Sequence, residues 1–252
     1  MLTKDKYMNV LSVDFDFFQN PQLNTFKKYP IGIDLPLNLS NSLWADAYLN
    51  HGKQINRVEF DQRNYNILKT IICNQKKFIP IKLSNSHVEA YYFLLRLLNS
   101  SNKKKVNLVN VDMHHDIINN NEKIDCGNWI GNLAKSKMLG NFSWVAKPLS
   151  QEMYGLSDDD MVDMKAIFDL SCFVNMNFDA IFICRSNPWF PPHLDKYFAA
   201  VVRLCQKHFY GDCLEIDGDI KRERHIRDLP LNGAWIKFIS ELQSYEQKQK
   251  GK

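Results

Sequence analysis

The stretch Val106-Asn107-Leu108-Val109-Asn110-Val111-Asp112-Met113-His114-His115-Asp116 decides how the rest of the chain is read. Its first half is an apolar run of strand length, and its second half delivers two carboxylates and two imidazoles into a small volume. Alternate side chains of a strand share a face. Asp112, His114 and Asp116 therefore project together if the extended conformation runs that far, while Met113 and His115 point the other way. Carboxylate oxygens mixed with imidazole nitrogens suit a divalent ion such as Mn²⁺, Fe²⁺ or Zn²⁺. The competing reading is a polar strand end running into a solvated loop.

Two further stretches bear on that choice. Residues 9–18, Asn-Val-Leu-Ser-Val-Asp-Phe-Asp-Phe-Phe, read as a second apolar strand ending in Asp14 and Asp16, two apart and so on the same side. A buried, unpaired carboxylate is costly, so such a pair needs a cation unless it merely caps the strand end. Residues 77–83 form a short strand, and Ser84-Asn85-Ser86 supplies capping residues before an amphipathic helix over 87–98. His87 thus sits at a strand-to-helix junction, where α/β proteins place ligands. Alone it reads as a capping or core histidine; beside the two acidic strand ends it becomes a candidate metal ligand.

Composition sets the frame. The 252 residues are 45% hydrophobic and 24% charged, ordinary for a globular protein with a sizeable core, and a single domain over 1–252 is expected. No apolar run approaches the roughly 18 residues that span a bilayer, and the first residues lead directly into a strand, leaving no room for a signal peptide. Six cysteines without Cys-x-x-Cys spacing, several inside apolar runs, predict reduced core residues of a cytoplasmic protein. A net charge of +4 is too small to imply nucleic acid.

Along the chain, residues 19–58 carry Pro21, Pro30 and Pro36 with many turn residues and read as irregular, with a short helix at 44–49. So long an irregular segment is expected to wall a substrate cleft. A helix is predicted over 60–73, and Pro80 suggests an edge strand or a bulge. A helix after Trp129 is read through Leu139 and closed by Gly140. Gly127 and Gly131 around Trp129 suggest that a backbone passes close by. Strands at 142–146 and 178–184, a capped acidic helix from Ser157, a helix over 192–208, a turn or short strand at 211–219 and a terminal helix at 234–246 complete the pattern. Apolar strands alternating with helices predict an α/β fold: a three-layer α/β/α sandwich with a mainly parallel central sheet. Asp14/Asp16, His87, Asp112/His114/Asp116, Asn128 and Arg185/Ser186 all fall at or just past strand C-termini, where such sheets form sites.

Asp112-Met113-His114-His115-Asp116, Asp14-Phe15-Asp16 and Ser86-His87 together resemble the motifs of the arginase/deacetylase superfamily of ureohydrolases. Their order departs from ordinary arginases, in which the Asp-x-Asp strand comes last; here it comes first, as in a permuted arginase-like fold. With Gly127-Asn128-Trp129-Ile130 and the Asn187 to Asp195 stretch, the chain is similar to small atypical arginases that convert arginine side chains of ribosomally made precursor peptides to ornithine. The resemblance spans most of the chain, with 19–58 and the tail after Tyr210 poorly anchored.

It implies two metal ions, most often Mn²⁺ with other divalent ions allowed. One would take His87, Asp112, Asp116 and Asp14; the other His114, Asp112, Asp14 and Asp16. It implies hydrolysis at the guanidinium carbon with release of urea, and a proton passed on by Asp116. His115 is either a proton shuttle or a packing residue. Asn128 and Trp129 either contact substrate or pack a turn. Glu89 is either the guanidinium partner or solvated, and Arg185 with Ser186 either bind a peptide carbonyl or pair locally. Glu215, Asp217 and Asp219 have the composition of a calcium loop without its spacing. The implied partner is an arginine-containing precursor peptide, with neither nucleic acid nor membrane; a homo-oligomer stays open. Alternatives are a hydrolase of free arginine or agmatine, a deacetylase-like amidohydrolase, or a non-catalytic metal-stabilised module.

Overall fold

A computed structural model describes residues 6–30, 37–118, 123–221 and 223–224. The strands are β1 (Tyr7–Asp14), β2 (Gln19–Asn20), β3 (Glu59–Phe60), β4 (Ile81–Ser84), β5 (Lys105–Val111), β6 (Leu139–Val145), β7 (Ala166–Ile167), β8 (Ala180–Cys184) and β9 (Leu214–Ile216). The α-helices are α1 (Leu23–Phe26), α2 (Leu37–Ile55), α3 (Gln62–Asn74), α4 (Glu89–Ser100), α5 (Trp129–Lys135), α6 (Pro148–Tyr154), α7 (Asp158–Asp163) and α8 (Asp195–His208). Seven strands form one parallel sheet in the order β7-β6-β5-β1-β8-β4-β9, and β2 and β3 make a small antiparallel ribbon. The fold is α/β, in three layers.

The period of two in the strands assigns each residue to a layer. Leu11 and Val13 of β1, Val109 and Val111 of β5, and Ile181 and Ile183 of β8 share one core with α2, α3 and α8, through residues such as Trp44, Leu68 and Phe198. Val10, Val106, Leu108, Ala180 and Phe182 form the opposite core with Phe93 and Leu94 of α4 and Ile130 and Leu133 of α5. Both faces are covered, so the strands read as near-continuous apolar runs. The pairings Val13 with Val111, Asp14 with Cys184 and Ser84 with Cys184 bring four strand C-termini to one level.

Several expectations are corrected. Residues 19–58 are not mostly irregular: α2 occupies 19 of them, burying Leu43, Trp44, Ala47, Tyr48 and Ile55. Its Asn- and Ser-rich start has poor intrinsic helicity, and tertiary burial overrides it. Pro80 marks neither an edge nor a bulge. It precedes β4, which pairs with both β8 and β9, and its carbonyl accepts the Ile181 N–H at 3.0 Å. The first residue of a strand tolerates proline. The helix after Trp129 stops at Lys135, and Gly140 lies inside β6 rather than capping a helix. The expected terminal helix at 234–246 lies outside the described residues.

Candidate metal centre

Four chain segments converge at the C-terminal edge of the sheet. β1 ends at Asp14, whose Oδ1 accepts the Asp16 N–H at 3.1 Å, and a 3-10 turn over Phe15–Phe18 begins there. The turn carries Asp16 back over the strand end. β5 stops at Val111, and the chain bends through Asp112, Met113 and His114, with the His114 N–H donating to Asp112 Oδ1 at 2.7 Å. The simple alternation expected through Asp116 therefore does not continue. Asp116 adopts a left-handed backbone at φ 54°, a conformation Asp tolerates better than most residues. Its carbonyl accepts the N–H groups of Ile130 and Gly131, and its carboxylate Oδ2 accepts the Trp129 indole N–H at 2.7 Å. A Cβ on Gly131 would sit 3.4 Å from the Ile117 carbonyl, which is the close passage the glycines predicted.

His87 enters from the β4–α4 turn. Its Nδ1 lies 3.1 Å from Asp112 Oδ2, 3.1 Å from Asp116 Oδ2 and 3.3 Å from Asp14 Oδ2. His114 Nδ1 lies 3.0 Å from Asp16 Oδ2 and 3.5 Å from Asp112 Oδ1. Asp14, His87 and Asp112 form one group that can hold a metal ion, and Asp16, Asp112 and His114 form a second, so Asp112 belongs to both.

The donor set fits a cation on its own evidence. His87 Nε2 is 2.8 Å from Ser12 Oγ, and with Nε2–H donating, the lone pair of Nδ1 faces three carboxylate oxygens. None of the three is aligned to bond His87 Nδ1, which is left without a hydrogen-bond partner in the first group, as Asp16 Oδ2 is in the second. Buried polar groups are normally satisfied, and an unsatisfied buried atom in each of the two groups is what an ion there would account for. Burial raises the carboxyl pKa of Asp14 and of Asp116, and the Asp112 charge adds to both. Burial and the neighbouring Asp14 push Asp16 up to about 7. Burial also opposes ionisation of Asp112, yet the adjoining His114 and His87 imidazoles win and hold it below the usual carboxylate range. Burial lowers both imidazoles, but the surrounding acids prevail and raise His87 and His114 well above the ordinary value. Without a cation, the cluster settles only by sharing protons between acids and imidazoles. Four carboxylates and two dications would instead leave little net charge.

Comparisons with protein-family models, with curated proteins and with solved structures find no match. The site therefore has to be read from its own residues.

The structure brings Asp14, Asp16, His87, Asp112, His114 and Asp116 together. It places Asn128 and Trp129 behind them. Trp129 is fully buried, 5.1 Å from the His87 ring, and spends its indole N–H on Asp116. Asn128 is also buried: its Oδ1 accepts the Asp125 N–H and the Asn132 amide, and its Nδ2 donates to the Lys123 carbonyl. Both hold the turn that anchors Asp116. His115 lies outside both ligand groups, although the strand alternation expected to turn it away does not reach it, and packs on Tyr154 at 4.5 Å; its Nδ1 accepts the Ile117 N–H. Glu89 is tied to Lys82 at 2.7 Å, Glu215 to Lys82 at 3.0 Å, and Asp217 to Ser84. Arg185 is buried and contacts Asn85, Asn187 and Asp195.

Two further groups of residues escaped the sequence reading. Ser12 sets the His87 ring, and the Asn110 amide donates to Asp112 Oδ2 at 3.3 Å. Each is a polar residue two positions before a ligand in an otherwise apolar strand, which is a usable signal. The aromatic rim is the other. Trp189 lies 4.6 Å from the His114 ring, Phe26 6.1 Å and Tyr154 6.5 Å; Trp189 belongs to the Asn187 to Asp195 stretch already singled out, while Phe26 and Tyr154 come from segments with no motif.

Proposed function

We propose that the chain is a dinuclear metal-dependent hydrolase that converts arginine side chains of a ribosomally made precursor peptide to ornithine and releases urea. One observation carries the reading: two buried Asp/His groups share Asp112, and within them His87 Nδ1 and Asp16 Oδ2 have no hydrogen-bond partner. His87, Asp14, Asp112 and Asp116 would hold one ion, and His114, Asp16 and Asp112 the other. Manganese suits this oxygen-rich set with one imidazole per ion, and iron or zinc would also bind. When bound, such ions supply Lewis acidity and bring the ionisation of water close to neutral pH. Asp116, its carboxylate anchored by Trp129, is assigned to accept a proton and pass it to the departing amine. No helix among the described residues is long and apolar enough to cross a membrane.

Mass spectrometry of an arginine-containing peptide incubated with the protein and Mn²⁺ tests the proposal. A loss of about 42 Da, the CN₂H₂ unit removed as urea forms, supports it. Urea from free arginine alone would transfer the activity to a small guanidino substrate. Release of acetate from an acetyl-lysine peptide would make the protein an amidohydrolase, and an inert metal-bound protein would make it a binding module.

A further inference from the structure

The aromatic rim has no part in holding metal. Trp189 is its partly exposed member, with its indole stacked on buried Phe26 at 5.5 Å and 10° between planes. Tyr154 is also partly exposed, and its hydroxyl makes no hydrogen bond among the described residues. Trp189 is rigidly mounted. Its N–H donates to the Ser186 carbonyl at 2.9 Å, and its carbonyl accepts the Gln19 amide at 2.8 Å. The neighbouring carbonyls of Asn187 and Phe190 accept the buried Arg224 guanidinium at 2.8 and 2.6 Å, and the Trp44 indole N–H also donates to Asn187. A partly exposed indole fixed on both flanks is a platform formed before any ligand arrives.

Three of the buried or half-buried acids outside the metal set are already committed among the described residues. Glu89 is paired with Lys82, Asp61 with Lys147, and Asp195 with Arg224. What the rim presents to an incoming side chain is π surface, beside a centre whose four carboxylates keep it from being net positive even with two dications bound. A flat delocalised cation stacks well on an indole face.

We propose that Trp189, braced by Phe26, is the specificity-determining residue that receives the planar guanidinium end of an unbranched substrate side chain beside His114. The inference deepens the hydrolase reading and rests on it for the reaction, though not for the binding.

The test is titration calorimetry in the Asp116→Asn background, chosen to suppress turnover, with Mn²⁺ loaded. The probes are one arginine-containing peptide and the same peptide carrying neutral citrulline. Trp189→Ala should weaken the arginine peptide about tenfold, and Trp189→Phe about threefold, from the strength of a partly desolvated cation–π contact. The citrulline peptide should bind about tenfold more weakly than the arginine peptide and should not respond to Trp189→Ala. Manganese content, read by elemental analysis, should be unchanged in both Trp189 variants.

The proposal is overturned if Trp189→Ala binds the arginine peptide as well as its parent, or if both peptides lose affinity equally. Loss of manganese from both Trp189 variants, or a parent protein that binds no arginine peptide, also overturns it. Trp189-dependent binding with no ornithine formed by the wild type would sink the hydrolase reading and leave this one standing. Ornithine formed by Trp189→Ala with an unchanged KM would do the reverse.

Discussion

Asp112 is the residue on which the centre turns, because it is common to both ligand groups while Asp16 belongs to one. Asp112→Ala should therefore strip both ions, whereas Asp16→Asn should release one and leave the His87 group loaded. Metal content after dialysis into Mn²⁺-limited buffer reads this directly, and two ions retained by Asp112→Ala would refute the shared ligand. Asp116 separates binding from chemistry. An asparagine there keeps one oxygen for coordination and loses the group assigned to carry the proton. Asp116→Asn should hold most of its manganese while peptide turnover falls by about 10² or more, the usual weight of a positioned acid or base. Wild-type turnover in that variant would remove Asp116 from the role.

Among the elements, α3 offers a clean test of how the site's surroundings are held. Its N-cap is Asp61, whose Oδ1 accepts the Asn64 N–H at 3.0 Å and whose Oδ2 lies 3.0 Å from the buried Lys147 ammonium. Lys147 also donates to the Gln19 carbonyl, tying α3 to β2 just after the turn that carries Asp16. Asp61→Ala removes the cap and one partner of Lys147 and should cost about 2 kcal/mol in urea unfolding. Burial raises the Asp61 carboxyl, but hydrogen bonds from Asn64 and the Lys147 charge outweigh it and hold it below the usual range. A carboxyl depressed in the folded state stabilises fully above its unfolded pKa, near 4, and loses that contribution as pH falls through the folded value. The gap between wild type and Asp61→Ala should accordingly narrow below about pH 4.

In β6, a Cβ on Gly140 would come within 2.7 Å of Asn107 Oδ1 and 2.8 Å of the Tyr7 ring. Tyr7 is exposed and can move, but Asn107 is fixed by bonds to Asn9 and to the Asn141 N–H. Gly140→Ala should destabilise by about 1–2 kcal/mol, visible as a lower Tm with unchanged manganese content.

For the molecule as a whole, the centre is an electrostatic load that a bound cation would relieve. Asp14, Asp16, Asp112 and Asp116 are all buried at the meeting point of β1, β5 and the β4–α4 turn. Any ion bound there acts on global stability, since the unfolded chain has no such site. Mn²⁺ at 100 times its Kd should add about 2.7 kcal/mol. In a chain of this size that corresponds to a Tm rise of roughly 5–11 °C. Chelation should reverse the rise, and a Tm indifferent to both would argue against a buried ion.

What the sequence determined by itself is what local physics controls. Apolar runs with a period of two mark the central strands, and their polar ends, Asp14-Phe15-Asp16 and Asp112-Met113-His114-His115-Asp116, mark where ligands gather. Ser157 capping α7 and the helix around Leu68 were legible for the same reason. The pairing of β1 with β5, which makes one centre of acids nearly a hundred positions apart, was not, because strand order is set by packing between segments. Nor was α2, whose weak propensity is overruled by the core it covers. The aromatic rim was not legible as a unit, although the Asn187 to Asp195 stretch that holds Trp189 stood out. Phe26, Tyr154 and Trp189 belong to separate elements with no shared spacing, and tertiary structure alone brings them to His114. Strand patterning could say which residues are able to hold a metal; only the assembled fold says what stands over them.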